Sequence, residues 1–599
     1  MRILFCSLIL AAALPGAGSG QFQHFLKARG DRLMDGDAEL RFVSYNIPNL
    51  HYIEDDHRFD RVNPWRIADE FEIRDALETI AQAGGNVTRM YVPSVRKAID
   101  DSSIVRHVLA PGIFNEDAFR AYDRVLQVAN QTGVRVIIPL VDNWWWWGGP
   151  KEYAAFRGKT KDEFWTDSLL IADFKKTVAF LVTRVNTITG VRFSDDKAVF
   201  GWETGNEIVA PYQWTRTIAA YIKSLDSNHL VIEGTFSREI SDEALADPNI
   251  DVLSTHHYTP ARETIPAVIA AREKARGKKP YFVGEFGFIP TAEMKQILDT
   301  VVASGISGIM VWSLRTHNRD GGFYYHENAY RWPGFPSGDA WDERNVTRLF
   351  REEAARVNGN HPAAASPPAT PSMILPESPW KISWQGAAGA SSYLIERKAE
   401  EEGFWQVITP RASDADIGYR PLYADTTARP GVRYFYRIRA RNEAGYSDLS
   451  EPVGPVSTPG RMLIDEMGDS SAWYTAEGIQ FVPLNDVAKA NEDRTRIGGS
   501  TGAYIVYRLR GAVTAWQVDV FDARADADTS MRFFAGASAD SLTPLPVRRT
   551  VYEPLRNEYG AYTCVRLGGA PQAGGAFVKI VLAAGCQVGR VELAYAVDR

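Results

Sequence analysis

The chain has 599 residues, 45% of them hydrophobic and 24% charged. That length exceeds one domain and that balance is ordinary for packed protein, so about two to four domains are expected and wholesale disorder is excluded. The formal net charge of −7 argues against a nucleic-acid partner. The 12% aromatic content fits large cores and equally fits stacking surfaces for flat ligands such as sugar rings.

Met1-Arg2, the apolar run Ile3 to Leu14 and the small-residue exit Pro15 to Gly20 read as a secretory signal over 1–20, too short to anchor the chain. No later run reaches eighteen apolar residues, so no membrane span is expected in the mature chain, which would be extracellular or periplasmic. Cys6 leaves with the signal. Cys564 and Cys586 then enter an oxidising compartment, where a disulfide between them is expected and a metal site is not.

Asp35-Gly36-Asp37 supplies a hairpin turn before the strand Leu40 to Ser44. Glu70 to Ala83 carries apolar residues at helical spacing (Phe71, Ile73, Ala76, Leu77, Ile80) and closes at Gly84-Gly85. The strand Asn86 to Tyr91, the helix Glu116 to Gln131 and the strand Val134 to Leu140 follow. Then come a helix over Asp173 to Thr189, a strand Val199 to Glu203 and a helix Thr215 to Ser224. Strands begin again near His229, Val252, Tyr281 and Gly308, with helices over Ile265 to Ala275 and Thr291 to Ala303. Eight βα units within 21–360 are the arithmetic of a (β/α)8 TIM barrel with inserted loops. An open doubly wound sheet would place a Gly-rich phosphate loop after the first strand, and this sequence has none there.

Residues 361–373 form a Pro/Ala linker. Beyond it short alternating segments appear: Trp380 to Trp384, Ser392 to Arg397 and Arg433 to Ala440. With Pro430-Gly431 before Tyr434 and Asn442 to Ser447 after it, residues 374–458 resemble a fibronectin type III domain, with Tyr434 where that family's corner tyrosine belongs. Residues 459–599 remain short-stranded and predict a second β-sandwich, either carbohydrate-binding or a spacer. The fold class expected is therefore α/β, a TIM barrel followed by two all-β sandwich domains.

A TIM barrel builds its site at the C-terminal ends of its strands. Those ends offer Arg89, Asn143, Glu203, Asn206, Glu207, Glu233, His256, His257, Tyr258, Glu285 and Trp312. The set is rich in acids and rings and poor in metal-ligand clusters, so no metal or cofactor is expected. It suits glycoside hydrolysis, which needs one protonated carboxyl to assist the leaving group and one carboxylate at the anomeric carbon. Of the run Trp144 to Trp147, at least one indole is expected to line a sugar cleft, since four in sequence cannot all face a core.

The ordered motifs Gly201-Trp202-Glu203-Thr204-Gly205-Asn206-Glu207, Thr255-His256-His257-Tyr258, Val283-Gly284-Glu285-Phe286-Gly287 and Val311-Trp312-Ser313 resemble the signatures of glycoside hydrolase family 5. Leu140 to Gly149 and Val185 to Lys197 resemble its endo-β-1,4-mannanase branch. The resemblance spans essentially 30–356 and implies a retaining double displacement with Glu207 as acid/base and Glu285 as nucleophile. It further implies that Arg89 and Tyr258 keep Glu285 ionised, Asn206 reads the sugar 2-hydroxyl, His256 orients the pair and Trp312 floors the subsite. Asn143 and Trp144 are expected at the substrate, Glu203 in a scaffolding role and His257 in packing. Glu207 is expected to carry a raised pKa, as a proton donor at neutral pH requires. The family usually places Pro after the acid/base; Ile208 stands here. The partner expected is a β-linked polysaccharide or oligosaccharide, most closely β-1,4-mannan. The alternatives are a hydrolase of another β-linked hexose, cellulase- or glucanase-like, and a non-catalytic glycan-binding protein.

Overall fold

The computed structural model describes residues 22–53, 65–100, 102–324, 343–415, 421–482, 495–522, 527–552, 563–571 and 574–596. The signal segment lies outside the described residues. Eight parallel strands follow one another around a near-closed barrel: β1 (Phe42–Asn46), β2 (Val87–Arg89), β3 (Arg135–Pro139), β4 (Val199–Glu203), β5 (Leu230–Ile232), β6 (Leu253–His257), β7 (Tyr281–Phe286) and β8 (Gly308–Val311). β8 pairs back onto β1. The last seam, β5 to β6, is carried by the Ile232–Val252 bridge and by the Glu233 N–H donating to the Val252 carbonyl at 3.1 Å.

Interior and exterior packing follow from strand alternation. Phe42, Ile137, Phe200, Phe282 and Met310 fill the barrel, joined by Leu26 and Leu33 of an N-terminal hairpin. The opposite strand faces pack on the long helices α1 (Glu70–Gln82), α2 (Glu116–Thr132), α3 (Ser168–Val182), α4 (Tyr212–Leu225), α5 (Ala261–Ala275), α6 (Thr291–Ser304) and α7 (Glu343–Arg356). Their ends follow capping chemistry. Asp69 and Glu72 exchange side chain-to-backbone bonds of 2.9 Å, a capping box at the start of α1.

α3 departs from the periodicity reading. It starts earlier, where Asp167 accepts the N–H groups of Leu169 and Leu170, and it stops at Val182 instead of continuing to Thr189. Asn186 then accepts the N–H groups of Ile188 and Thr189, a local bond that competes with helix in a β-branched stretch.

Beyond the barrel, Ser392–Ala399 lies between Gln406–Ala412 and Tyr434–Asn442 in a five-stranded antiparallel sheet. Trp384, Tyr393, Tyr436 and Ile438 form its core, and the Tyr434 hydroxyl accepts the Arg429 N–H at 3.3 Å. The C-terminal strands join one ten-stranded sheet in which Val513–Asp522 lies between Thr563–Gly569 and Cys586–Tyr595. The expected Cys564–Cys586 bridge involves a side chain outside the described residues. Among the described residues, no helix is long and apolar enough to cross a membrane.

The region of the five-stranded sheet meets the barrel. His317, on the loop after β8, lies between Asp75 of α1 and Asp414, just past the strand Gln406–Ala412, and Gln385 donates to the Arg319 carbonyl at 3.2 Å.

Candidate active site

Seven strand-end residues converge at the C-terminal mouth. Arg89, closing β2, is 1% exposed, and its guanidinium serves three partners at once. Nε donates to Glu203 at 2.6 Å, one terminal nitrogen to Glu285 at 2.7 Å and the other to the Asn206 carbonyl oxygen at 2.7 Å. A planar fork of fixed donors is suited to this task, whereas a lysine offers its three donors from a single nitrogen and lacks the fork's spread. Burial opposes the Arg89 charge, but Glu203 and Glu285 together raise its pKa above the ordinary value. Glu203 is raised by burial, an effect that Arg89 offsets in part.

Glu285, near the end of β7, accepts from Arg89 on one oxygen and from the Tyr258 hydroxyl on the other. Glu207 lies one turn beyond β4 in a loop where its backbone is left-handed, at φ 49°, a strained conformation for a residue with a Cβ. His256 Nδ1 bridges the pair, at 2.9 Å from Glu207 and 3.4 Å from Glu285. One oxygen of each carboxylate and a ring nitrogen of His256 all lie within 4.8 Å of one another. Such a trio has the donor types of a cation site. Here Arg89 and His256, whose charge survives burial because both glutamates face it, already supply positive charge.

Gly284 makes room for this arrangement. A Cβ there would come within 2.4 Å of Ser254 Oγ and 2.8 Å of His256 Nε2. Ile208 also finds its reason, since its N–H donates to the Gly234 carbonyl at 3.0 Å and its carbonyl accepts from Phe236. Backbone pairing of that kind is closed to proline, so the loop is held here without the family's usual residue.

The electrostatics correct one expectation. Burial alone would raise Glu207, but the bonds from His256 and from the Trp144 indole N–H, at 2.7 Å, hold its pKa below the ordinary glutamate value. In this state the candidate proton donor is a stabilised carboxylate. Burial pushes Asp142 and Glu233 up to about 7 each.

The remaining residues divide. Trp144 is half-buried and stacks on Trp146 with centroids 5.6 Å apart; Trp145 is 60% exposed, while Trp147 is wholly buried against Tyr52 and Tyr91. Trp312 is half-buried and packs against Tyr91 at 5.9 Å. His257 bonds Thr255, and burial lowers its pKa to about 3. Asn143 is bonded by Lys161 at 3.0 Å. Its neighbour Asp142 is the residue that meets the Asn206 amide, accepting from Nδ2 at 2.9 Å, and the same nitrogen donates to Tyr91 at 3.2 Å. Asp142 and Tyr91 were missed by strand-end reasoning. Each is a residue or two from a position that it singled out, at the end of the same strand.

Residues 63–261 match the family model for GH family 5 beta-mannosidase-like proteins. The match takes in Arg89, Asn206, Glu207, His256 and Tyr258 and stops short of Glu285. Mannan endo-1,4-beta-mannosidase 1 of Arabidopsis thaliana is 31% identical over 194 residues, 30% of this chain and 46% of that protein. Mannan endo-1,4-beta-mannosidase 3 of Solanum lycopersicum is 27% identical over 317 residues, 43% of this chain and 77% of that protein. The chain thus spans about half the length of the Arabidopsis relative. The endo-beta-1,4-mannanase structure from Thermotoga petrophila is 21% identical, covering 70% of this chain and 99% of that one with a TM-score of 0.45.

Proposed function

We propose that the protein is a secreted, retaining glycoside hydrolase that cleaves β-1,4-mannosidic bonds in mannan or manno-oligosaccharides. The observation that carries this reading is the buried Glu207–Glu285 pair, one oxygen of each within 4.8 Å of the other, with His256 facing both. Double displacement requires carboxyls about 5 to 5.5 Å apart, too close for the intervening water of an inverting enzyme. The mannan-cleaving relatives support the choice of sugar.

Glu285, bonded by Arg89 and Tyr258, attacks the anomeric carbon. The glycosidic C–O bond breaks as Glu207 passes its proton to the departing oxygen. Glu207, now a carboxylate, takes a proton from water, which hydrolyses the glycosyl ester at Glu285. His256 faces both acids throughout, and Arg89 orients Asn206 towards the sugar. The Arg429–Tyr434 bond supports reading 374–458 as a fibronectin type III domain. The C-terminal domain we assign, by its short-stranded pattern, as a candidate carbohydrate-binding module.

Glu285→Ala is expected to abolish hydrolysis, with azide restoring turnover and giving an inverted glycosyl azide; full residual activity would refute the assignment. Reducing-end release from mannan, glucomannan and soluble cellulose, measured side by side, tests the sugar. Cellulose preferred over mannan would overturn the mannanase reading, and no release from any of them would favour a glycan-binding protein.

A further inference from the structure

We propose that Trp144 is a positioning residue for the proton donor: its indole N–H clamps Glu207 as a carboxylate and must release Oε2 before that oxygen can carry a proton to a leaving sugar. The inference rests on the hydrolase reading for its meaning, though its geometry stands apart from it. Both oxygens of Glu207 are engaged, Oε1 by His256 at 2.9 Å and Oε2 by Trp144 at 2.7 Å.

The two donors differ in kind. A histidine ring nitrogen donates or accepts according to its tautomer, but an indole N–H only donates. A proton placed on Oε2 along that direction would set two donors against each other. Trp144 therefore favours the anionic form alone, and its bond to a charged acceptor is of the stronger class.

Other charges act on Glu207 from every side. His256 on β6 and Arg89 on β2 favour its anion, whereas Glu285 on β7 and Asp142 beyond β3 are like charges. The Tyr258 hydroxyl is committed to Glu285, and Glu233 beyond β5 faces Glu203 and His256. Among these neighbours Trp144 stands apart in position. It is half-buried at the cleft rim, stacked on Trp146 and edge-on to Phe236, which is 51% exposed.

The clamp then serves the two half-reactions differently. In the first, Glu207 arrives protonated from solvent, with the indole displaced. Its proton goes to the glycosidic oxygen as the C–O bond breaks and the Glu285–carbon bond forms. In the second, with the leaving sugar gone, the indole N–H returns to Oε2 and stabilises the carboxylate that must accept a proton from the attacking water.

Trp144→Phe keeps a ring for Trp146 and deletes the N–H. The titration of Glu207 is read by 13C NMR in the full chain without substrate, the resonance being identified by its loss in Glu207→Gln. The midpoint of the coupled Glu207–His256–Glu285 group is expected to rise by about one pH unit in Trp144→Phe. The alkaline limb of kcat/KM on a manno-oligosaccharide, which reports the free enzyme's acid, is expected to rise with it. Phe236→Ala, which loosens the indole from the exposed side, is the second variant and shifts the midpoint in the same sense. An unmoved titration in both variants overturns the clamp. A wild type that hydrolyses no β-glycan refutes the hydrolase reading instead, and the NMR titration still decides the clamp.

Discussion

His317 joins the barrel to the region of the five-stranded sheet through a buried charge, and its removal has a calculable cost. Its ring nitrogens lie 2.7 Å from Asp75 on α1 and 3.1 Å from Asp414, with all three side chains at most 6% exposed. Burial by itself would strip the charge, but the two carboxylates dominate and push the imidazolium up to about 10 from its ordinary 6.5. At about 1.4 kcal/mol per pH unit that difference corresponds to about 5 kcal/mol of linkage, and breaking a buried pair by deleting one partner costs about 3 to 5 kcal/mol. Because the folded value lies above the unfolded one, this stabilisation is fully present below pH 6.5, declines through the window between 6.5 and 10, and is lost above it. His317→Gln should therefore unfold at markedly lower denaturant at pH 6, with the gap to wild type closing by pH 10.5. The measurement is guanidinium unfolding followed by Trp fluorescence at both pH values, with the barrel and sheet transitions fitted separately. A gap of the same size at both, or none at either, would refute the reasoning. His317 is five residues from Trp312, so the variant should also lower kcat/KM for oligosaccharides.

Two further outcomes follow from the site. Arg89→Lys retains one charge but loses the three-way fork to Glu203, Glu285 and Asn206; kcat/KM should fall at least about a hundredfold, by analogy with the loss of a preorganised charge-stabilising donor, and steady-state kinetics on manno-oligosaccharide checks it. Gly284→Ala drives a methyl against Ser254 and the ring of His256. Its activity should fall more steeply than its unfolding midpoint, because the displaced ring is the one between the acids; equal losses in assay and denaturation would contradict that.

Strand alternation, helical spacing and Gly/Asn stops made the eight βα units legible in the sequence, since each is a local pattern of burial and capping. So were Glu207 and Glu285, because a polar residue just past an apolar strand has one place to go in a barrel. Sequence did not reveal the end of α3, where an Asx bond at Asn186 outcompeted periodicity, or the roles of Asp142 and Tyr91 beside Asn206. It also inverted the expected proton affinity of Glu207. The role of a proton donor suggests a raised pKa, but the actual direction depends on which donors the fold brings within 3 Å. Trp144 and His256 are 63 and 49 residues from Glu207 along the chain. The Asp75–His317–Asp414 contact spans larger separations still and joins the barrel to the region of the five-stranded sheet. Local physics set the elements and the ends at which chemistry collects. Electrostatics between residues distant in sequence was decided by tertiary structure alone, because Coulomb and hydrogen-bond energies depend on distances through space that no spacing along the chain records.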